Sequence, residues 1–242
     1  MAVRTEWQTL KVSDGTDMRV YIARPAGVKN APAVIVVQEA FGLNSHIRDV
    51  TERIAGLGYV AVSPEMFHRT APGFEGSYED IEKVRLHMAA MTDDSQTADL
   101  QAVYKFLQDD AQTDAGRIAA VGYCMGGRTA FLANAVLPLK AAVSYYGGRI
   151  PSLLPKFIGQ NGPLLFFWGG QDKHIPLEQR QEVLTGLEGA CKTFANVEFS
   201  AADHGFFCDE RKAYHPVSAG QSWALFTQFL TDNFGAGGRQ SL

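Results

Sequence analysis

Short apolar runs rich in β-branched residues alternate with helical patterns along most of this chain. Runs typical of strands lie at residues 5–12, 18–24, 33–37, 59–63, 118–121, 141–145, 164–168 and 196–200. Helical patterns lie at residues 45–57, from 77 onward, at 95–108, 128–136 and 176–187, and around Trp223, Phe226 and Leu230. From residue 33 onward this alternation predicts an α/β fold, with a doubly wound, mostly parallel sheet and helices on both faces.

The composition is that of a globular protein with a sizeable core. Hydrophobic residues make up 46% of the 242 residues. No linker or repeat divides the sequence, so we expect a single domain over residues 1–242, with a flexible tail at 235–242. Lys and Arg total 22 and Asp and Glu total 26, which gives a net charge of -4. This balance argues against a nucleic-acid partner, because such proteins usually carry a basic stripe.

The sequence also predicts where the protein works. The N-terminal residues lack the apolar stretch of a signal peptide, and no apolar run approaches the roughly 20 residues of a membrane span. We therefore expect no membrane association. Cys124, Cys191 and Cys208 are far apart and lack CxxC spacing, so neither a disulfide framework nor a metal site is expected. Such cysteine usage indicates a cytoplasmic location.

The most informative motif is Gly-Tyr-Cys-Met-Gly-Gly at residues 122–127, between a predicted strand and a predicted helix. This is the G-x-C-x-G form of the nucleophile elbow. Gly122 and Gly126 leave room for a tight turn that exposes Cys124. The helix N-terminus beside the sulfur favours the thiolate. The structural alternative is a glycine-rich turn that carries a buried cysteine.

Two further residues follow later strands in an order that supports the catalytic interpretation. Asp172 follows the strand at 164–168, and His204 follows the strand at 196–200. Nucleophile, acid and histidine in this order are typical of the α/β-hydrolase fold. His204 is predicted to act as general base and Asp172 to orient it. Asp203 is a rival acid, and His174 is a rival base.

Several motifs together resemble the dienelactone hydrolase family (the carboxymethylenebutenolidases). The resemblance extends from about residue 10 to 234 and rests on residues 38–42 (Gln-Glu-Ala-Phe-Gly), 122–127, 168–172 (Trp-Gly-Gly-Gln-Asp) and 203–206 (Asp-His-Gly-Phe). It implies a cofactor-free hydrolase that opens an unsaturated lactone to maleylacetate during bacterial degradation of aromatic compounds. It also implies the triad Cys124, His204 and Asp172, with Glu39 helping to generate the thiolate when substrate arrives.

The remaining site residues follow from the elbow and from one departure from the family. The oxyanion hole should consist of the backbone amides of Met125 and Ala40. Lactonases of the family carry a substrate-binding arginine four residues after the histidine, where this chain has Cys208. We therefore expect Arg85, together with Arg211, to bind a substrate carboxylate.

Two aromatic residues complete the expected substrate site. Phe41 and Tyr145 are predicted to line it.

The leading hypothesis is a cysteine hydrolase of small lactones that works through an acyl-thioester. The alternatives are a broader carboxylesterase or thioesterase with the same triad, a non-catalytic small-molecule-binding protein, and a redox sensor that uses Cys124. A small lactone or ester is the expected partner. We expect a monomer or a small homo-oligomer.

Overall fold

Eight strands form one central sheet in this structure, a computed structural model that describes residues 1–79 and 81–235. The strands are β1 (Val3–Lys11), β2 (Asp17–Pro25), β3 (Ala31–Val37), β4 (Val60–Pro64), β5 (Thr113–Tyr123), β6 (Ala141–Tyr145), β7 (Leu164–Gly169) and β8 (Phe194–Phe199). Their spatial order is β1-β2-β4-β3-β5-β6-β7-β8. Strand β2 pairs antiparallel with β1 and β4, and the other neighbours are parallel. The predicted mostly parallel sheet is confirmed.

Helices cover both faces of the sheet, as the sequence predicts. They are α1 (Ser45–Gly56), α2 (Ile81–Ala90), α3 (Asp93–Asp109), α4 (Met125–Val136), α5 (Leu177–Gly189), α6 (Pro216–Phe234) and a 3-10 helix (Ile150–Gly159). On one face α1 meets α6, where the guanidinium of Arg53 lies 4.4 Å from the ring centre of Trp223. On the other face α3 packs against α4, and the 3-10 helix packs against α4 and α5. None of the helices in the described residues is long and apolar enough to cross a membrane.

The centre of the sheet brings two strand ends together. Every residue of β3 except Pro32 is buried, as expected for an apolar strand with helices on both sides. The register pairs Val37 with Gly122, so β3 and β5 end side by side. The loop that follows β3 therefore lies next to the loop that follows β5. In an open α/β sheet this is where ligands bind.

Local sequence signals set several helix boundaries. The side chain of Asn44 accepts the Ile47 amide at the start of α1. Thr92 and Ser95 form a reciprocal capping box at the start of α3. Gly58 follows α1 with a positive φ of 102°. These turns hold the helices at defined positions against the sheet.

Two predicted boundaries differ from the structure. Strand β5 begins at Thr113, before the predicted residue 118, because pairing with β3 continues through a register shift at Ala31 and Ala33. Helix α2 begins at Ile81 rather than Ser77, because the Ser77 hydroxyl accepts the Glu79 amide within a preceding turn.

The 3-10 helix was not predicted, since Pro155 lacks an amide hydrogen and signals a loop. The expected flexible tail, from residue 236 onward, lies outside the described residues.

Candidate active site

Cys124 occupies a sharp turn between β5 and α4. Its backbone has φ 54° and ψ -117°, an unusual conformation for a residue other than glycine. The strand ends one residue before it and the helix begins one residue after it. The side chain therefore lies near the N-terminus of α4, where the helix dipole favours a thiolate.

The glycines at both sides of this turn are required by contact with the backbone. A Cβ atom added to Gly122 would collide with the carbonyl oxygen of Gly126. A Cβ atom added to Gly126 would collide with the carbonyl oxygens of Val37 and Gln38. The elbow thus packs directly against the end of β3.

The structure brings the predicted nucleophile, base and acid into one chain of contacts. Nε2 of His204 lies 3.1 Å from Sγ of Cys124. Nδ1 of the same ring lies 2.7 Å from Oδ2 of Asp172. The other carboxylate oxygen also holds Asp172 in place, because Oδ1 accepts hydrogen bonds from the backbone amides of His174 and Ile175. The geometry meets the requirement that a base contacts the nucleophile while a third group orients the base.

The environment favours the charged form of His204, whose ring lies between Cys124 and Asp172. Burial disfavours the imidazolium, but the charges and hydrogen bonds of Cys124 and Asp172 outweigh it and raise the pKa of His204. Burial alone would raise the pKa of Asp172, whereas its hydrogen bond and ion pair with His204 lower the pKa overall. The pKa shifts of both groups favour an ionised His204–Asp172 pair.

The two rival residues have different contacts. Oδ1 of Asp203 accepts the backbone amide of His204, and no contact joins this carboxylate to the imidazole. The ring of His174 lies edge-on to the His204 ring, with 5.2 Å between the ring centres. Among these acid and base candidates, Asp172 and His204 are therefore the pair whose side chains form a hydrogen bond.

Two backbone amides are available beside the nucleophile. Ala40 and Met125 line the same cavity as Cys124. Among the described residues, neither amide donates a hydrogen bond within the chain. Unpaired amides at such a turn can bind the oxygen of a reacting carbonyl group.

Glu39 is a fully buried carboxylate at the end of β3. Its Oε1 lies 3.3 Å from Nη1 of Arg211, whereas Oε2 has no hydrogen-bond partner among the described residues. The Arg211 guanidinium lies 5.6 Å from the ring centres of both Phe41 and Tyr78. Arg211 is thereby held between an acid and two aromatic rings at the cavity wall.

Cys208 lies four residues after His204, where the family resemblance implies an arginine. It is buried, and its Sγ donates a hydrogen bond to the Tyr78 hydroxyl at 3.2 Å. Burial and the negative charge of Glu39 raise the pKa of Cys208 to about 12. This thiol therefore stays protonated near neutral pH.

A cavity of about 600 Å³ opens above Cys124. Phe41 and the apolar side chains of Val84 and Met88 form part of its wall. Arg85 also lines it, with a side chain that is 69% exposed and lies 3.2 Å from Glu82. The structure thus brings Phe41, Arg85 and Arg211 to the cavity.

Tyr145 does not lie at the cavity wall, in contrast to the prediction that it binds substrate. Its ring is fully buried and packs against Tyr123 and Phe167, with ring centres 4.7 and 4.5 Å away. The next residue, Tyr146, instead packs against His204 at 5.2 Å. Tyr145 is the last residue of β6, whereas Tyr146 lies beyond the strand with a positive φ of 37°, so the two adjacent rings reach different surroundings.

Two cavity residues were not singled out from the sequence. Arg128 follows Cys124 by four residues and therefore lies one helical turn further along the same face of α4. Arg149 directly follows the Gly147–Gly148 turn at the carboxyl end of β6. Both line the cavity. Their positions one turn after the elbow and just after a strand end are signals that could have identified them.

In residues 1–79 and 81–235, no group of three or more His, Cys, Asp or Glu side chains could hold a metal ion. Cys124, Cys191 and Cys208 are all free thiols.

Comparison with known proteins places these motifs in a family. The family model of the dienelactone hydrolases matches residues 18–234. A Synechocystis protein, provisionally named carboxymethylenebutenolidase, is 38% identical over 223 residues, covering 87% of this chain and 89% of its own length. A carboxymethylenebutenolidase of Pseudomonas putida is 31% identical over 205 residues, covering 84% of this chain and 86% of its own length.

A solved structure supports the same relationship. The crystal structure of a Klebsiella pneumoniae protein, provisionally named dienelactone hydrolase, has a TM-score of 0.86 and 32% sequence identity. It covers 95% of this chain and 99% of that chain. The expected α/β-hydrolase fold is confirmed, and so is the expectation of a carboxylic ester hydrolase. This chain belongs to the dienelactone hydrolase family.

Proposed function

We propose that this protein hydrolyses a small unsaturated lactone, of the type that gives maleylacetate, through an acyl-thioester on Cys124. The single observation that carries the proposal is the contact chain from Cys124 through His204 to Asp172, with distances of 3.1 and 2.7 Å. In acyl transfer, the acid orients the base and the base takes the proton of the nucleophile, so the three groups must be in contact.

In the first half-reaction, the Cys124 thiolate attacks the lactone carbonyl carbon and forms the C–S bond. The ring C–O bond then breaks, and the imidazolium of His204 donates its proton to the departing oxygen. The amides of Met125 and Ala40 would stabilise the transient oxyanion. A donor of this kind is worth about 2.7–4 kcal/mol in the transition state.

In the second half-reaction, neutral His204 takes a proton from a water molecule, which attacks the thioester carbonyl. The C–S bond breaks, and the product acid leaves. Asp172 stabilises the imidazolium that forms in this step. Thiolate is a good leaving group, so a strained enol lactone suits this nucleophile better than an amide does.

Glu39 and Arg211 are proposed to couple substrate binding to thiolate formation. Glu39 is held by Arg211 at 3.3 Å. A substrate carboxylate inside this arginine-lined cavity would weaken the pair between Glu39 and Arg211 and free Glu39 to accept the Cys124 proton. Arg85 would supply a second cation at the cavity mouth. Phe41 would pack against the lactone.

Hydrolysis of dienelactone and of p-nitrophenyl acetate by wild type and Cys124→Ala tests this proposal. We expect the wild type to open the lactone rapidly and the variant to lose activity on both substrates. Cys191→Ala is the matched control, because Cys191 is exposed and lies outside the cavity. Equal lactone turnover by Cys124→Ala and wild type would contradict the proposal.

The same experiment separates the alternatives. Turnover of the ester alone would favour a broader carboxylesterase or thioesterase with the same triad. A binding protein would retain ligand affinity in Cys124→Ala and show no turnover. A redox sensor would form a sulfenate on Cys124 without hydrolysing either substrate.

A further inference from the structure

The cavity wall is unusually rich in arginine for a protein with a net charge of -4. Four arginines line it, and three of them already have an acidic partner. These pairs are Arg85 with Glu82 at 3.2 Å, Arg128 with Asp93 at 2.8 Å, and Arg211 with Glu39 at 3.3 Å. The fourth, Arg149, forms no ion pair or side-chain hydrogen bond with any residue of the described ranges.

Arg149 is held in place through its backbone. It has the left-handed conformation, with φ 61° and ψ 20°. Its amide donates to Oε1 of Gln179 at 3.0 Å. Its carbonyl oxygen accepts from Ser152 Oγ at 2.8 Å and from Arg128 Nε at 3.3 Å. Because α4, α5 and the 3-10 helix all fix this one residue, its side chain starts from a defined point at the cavity wall.

The fixed backbone and free guanidinium together point to an anionic ligand. A guanidinium presents parallel N–H donors that match the two oxygens of a carboxylate. The only acid that lines the cavity in the described chain is Asp93, which is paired with Arg128. A carboxylate that reaches Arg85 or Arg211 must compete with the existing acid. At Arg149 it displaces only water.

We propose that Arg149 binds the carboxylate of the substrate and selects lactones or esters that carry a negative charge. This inference rests on the proposed hydrolase function and deepens it. Arg149 is supplied by the loop after β6, whereas Arg85 comes from α2 and Arg211 precedes α6. The negative group of the substrate is therefore directed to the side of the cavity formed by the loop after β6.

The test compares two substrates that have the same reacting carbonyl group and differ only in whether they carry a negative charge. The substrates are dienelactone, which carries a carboxylate, and its neutral methyl ester. We expect Arg149→Ala to lower kcat/KM for the carboxylate by about 10- to 100-fold, chiefly through KM, as for a lost charge-assisted hydrogen bond. The methyl ester should react within about twofold of wild type, because the acyl-transfer groups are untouched.

Two further variants sharpen the result. Arg149→Lys keeps the charge without the planar fork and should recover part of the loss. Arg4→Ala, at an exposed position on β1, changes the net charge equally and should leave both substrates unaffected. Raising the salt concentration should reduce the difference in kcat/KM between wild type and Arg149→Ala for the carboxylate substrate.

Each other outcome has a distinct meaning. Equal losses on both substrates would assign Arg149 a structural role and overturn this inference. Wild-type kinetics of Arg149→Ala on both substrates would overturn it as well. Retained lactone turnover in Cys124→Ala would instead refute the proposed hydrolase mechanism, whatever Arg149 does.

Discussion

The carboxylate of Glu39 lies 3.3 Å from the guanidinium of Arg211. The Glu39 side chain is fully buried. Its second oxygen has no hydrogen-bond partner among the described residues. A buried carboxylate held from one side only is costly to desolvate. A buried carboxylate at this position beside the elbow is consistent with a group that changes its hydrogen-bond partner when substrate binds.

Glu39→Gln should therefore slow catalysis while preserving the fold. The amide keeps the size and can still accept a hydrogen bond from Arg211, but it cannot take a proton from Cys124. We expect kcat/KM for the lactone to fall by about 10²-fold, the scale of general-base catalysis. Steady-state kinetics and thermal unfolding measure the two properties. Glu182→Gln, at an exposed position on α5 outside the cavity, is the control, and a Glu39→Gln enzyme within twofold of wild type would contradict this role.

The contact between Cys124 and His204 predicts a pH-dependent charge state. Charges and hydrogen bonds of Cys124 and Asp172 raise the pKa of His204 despite its burial. The imidazolium should therefore persist at pH values above the ordinary histidine pKa of about 6.5, and deprotonate only as the pH rises further. Proton donation to the leaving oxygen should decline on that alkaline side.

Nuclear magnetic resonance titration of the His204 ring nitrogens measures this shift. In Cys124→Ala the sulfur is lost while Asp172 remains, so the midpoint should move to lower pH. Identical midpoints in wild type and Cys124→Ala would show that the sulfur does not raise the pKa of His204. The kinetic pH profile is expected to report the coupled pair rather than either residue alone.

Asp172 and Asp203 can be separated by replacing each with asparagine. Asp172→Asn should remove the charge that orients His204 and lower kcat by about 10³-fold or more. Asp203→Asn should lose less than about tenfold, because Asp203 contacts the His204 amide and not its ring. Both variants are compared with p-nitrophenyl acetate as substrate. A larger loss in Asp203→Asn would reverse the assignment of the acid.

The elbow predicts a stability effect at Gly126. Its alanine variant would press a methyl group against the carbonyl oxygens of Val37 and Gln38. We expect the free energy of unfolding to fall by about 1–3 kcal/mol or more, together with a loss of activity. Urea denaturation measures the change in this free energy.

Gly220→Ala is the matched control for that substitution. This position lies in α6, and an added Cβ there meets nothing within 4 Å. Alanine should stabilise this helix by about 0.5–1 kcal/mol. Equal stability of the two alanine variants would show that the elbow tolerates a side chain at Gly126.

Short local motifs explain why so much of the architecture and site geometry was predictable. The run at β3 contains almost only apolar residues because both faces are covered, and the glycines beside Cys124 are imposed by backbone contact. Asp172 and His204 follow strands whose carboxyl ends share one edge of the sheet. Chain order alone therefore brings them near Cys124.

What escaped prediction depends on side-chain direction and on pairing at a distance. Tyr145 and Tyr146 are adjacent, and the backbone conformation where β6 ends decides which of the two rings reaches His204. The free state of Arg149 is visible only once the partners of the other cavity arginines are known. Such relationships join residues far apart in sequence, so no local pattern encodes them.

The most direct test of the account is to trap the covalent intermediate. The enzyme is mixed with p-nitrophenyl acetate, quenched in acid within milliseconds, and digested for mass spectrometry. The account predicts one acetyl group, in thioester linkage, on the peptide that contains Cys124, and none in Cys124→Ala. Continued hydrolysis by Cys124→Ala, or an acetyl group on another residue during turnover, would contradict the assignment of Cys124 as the nucleophile.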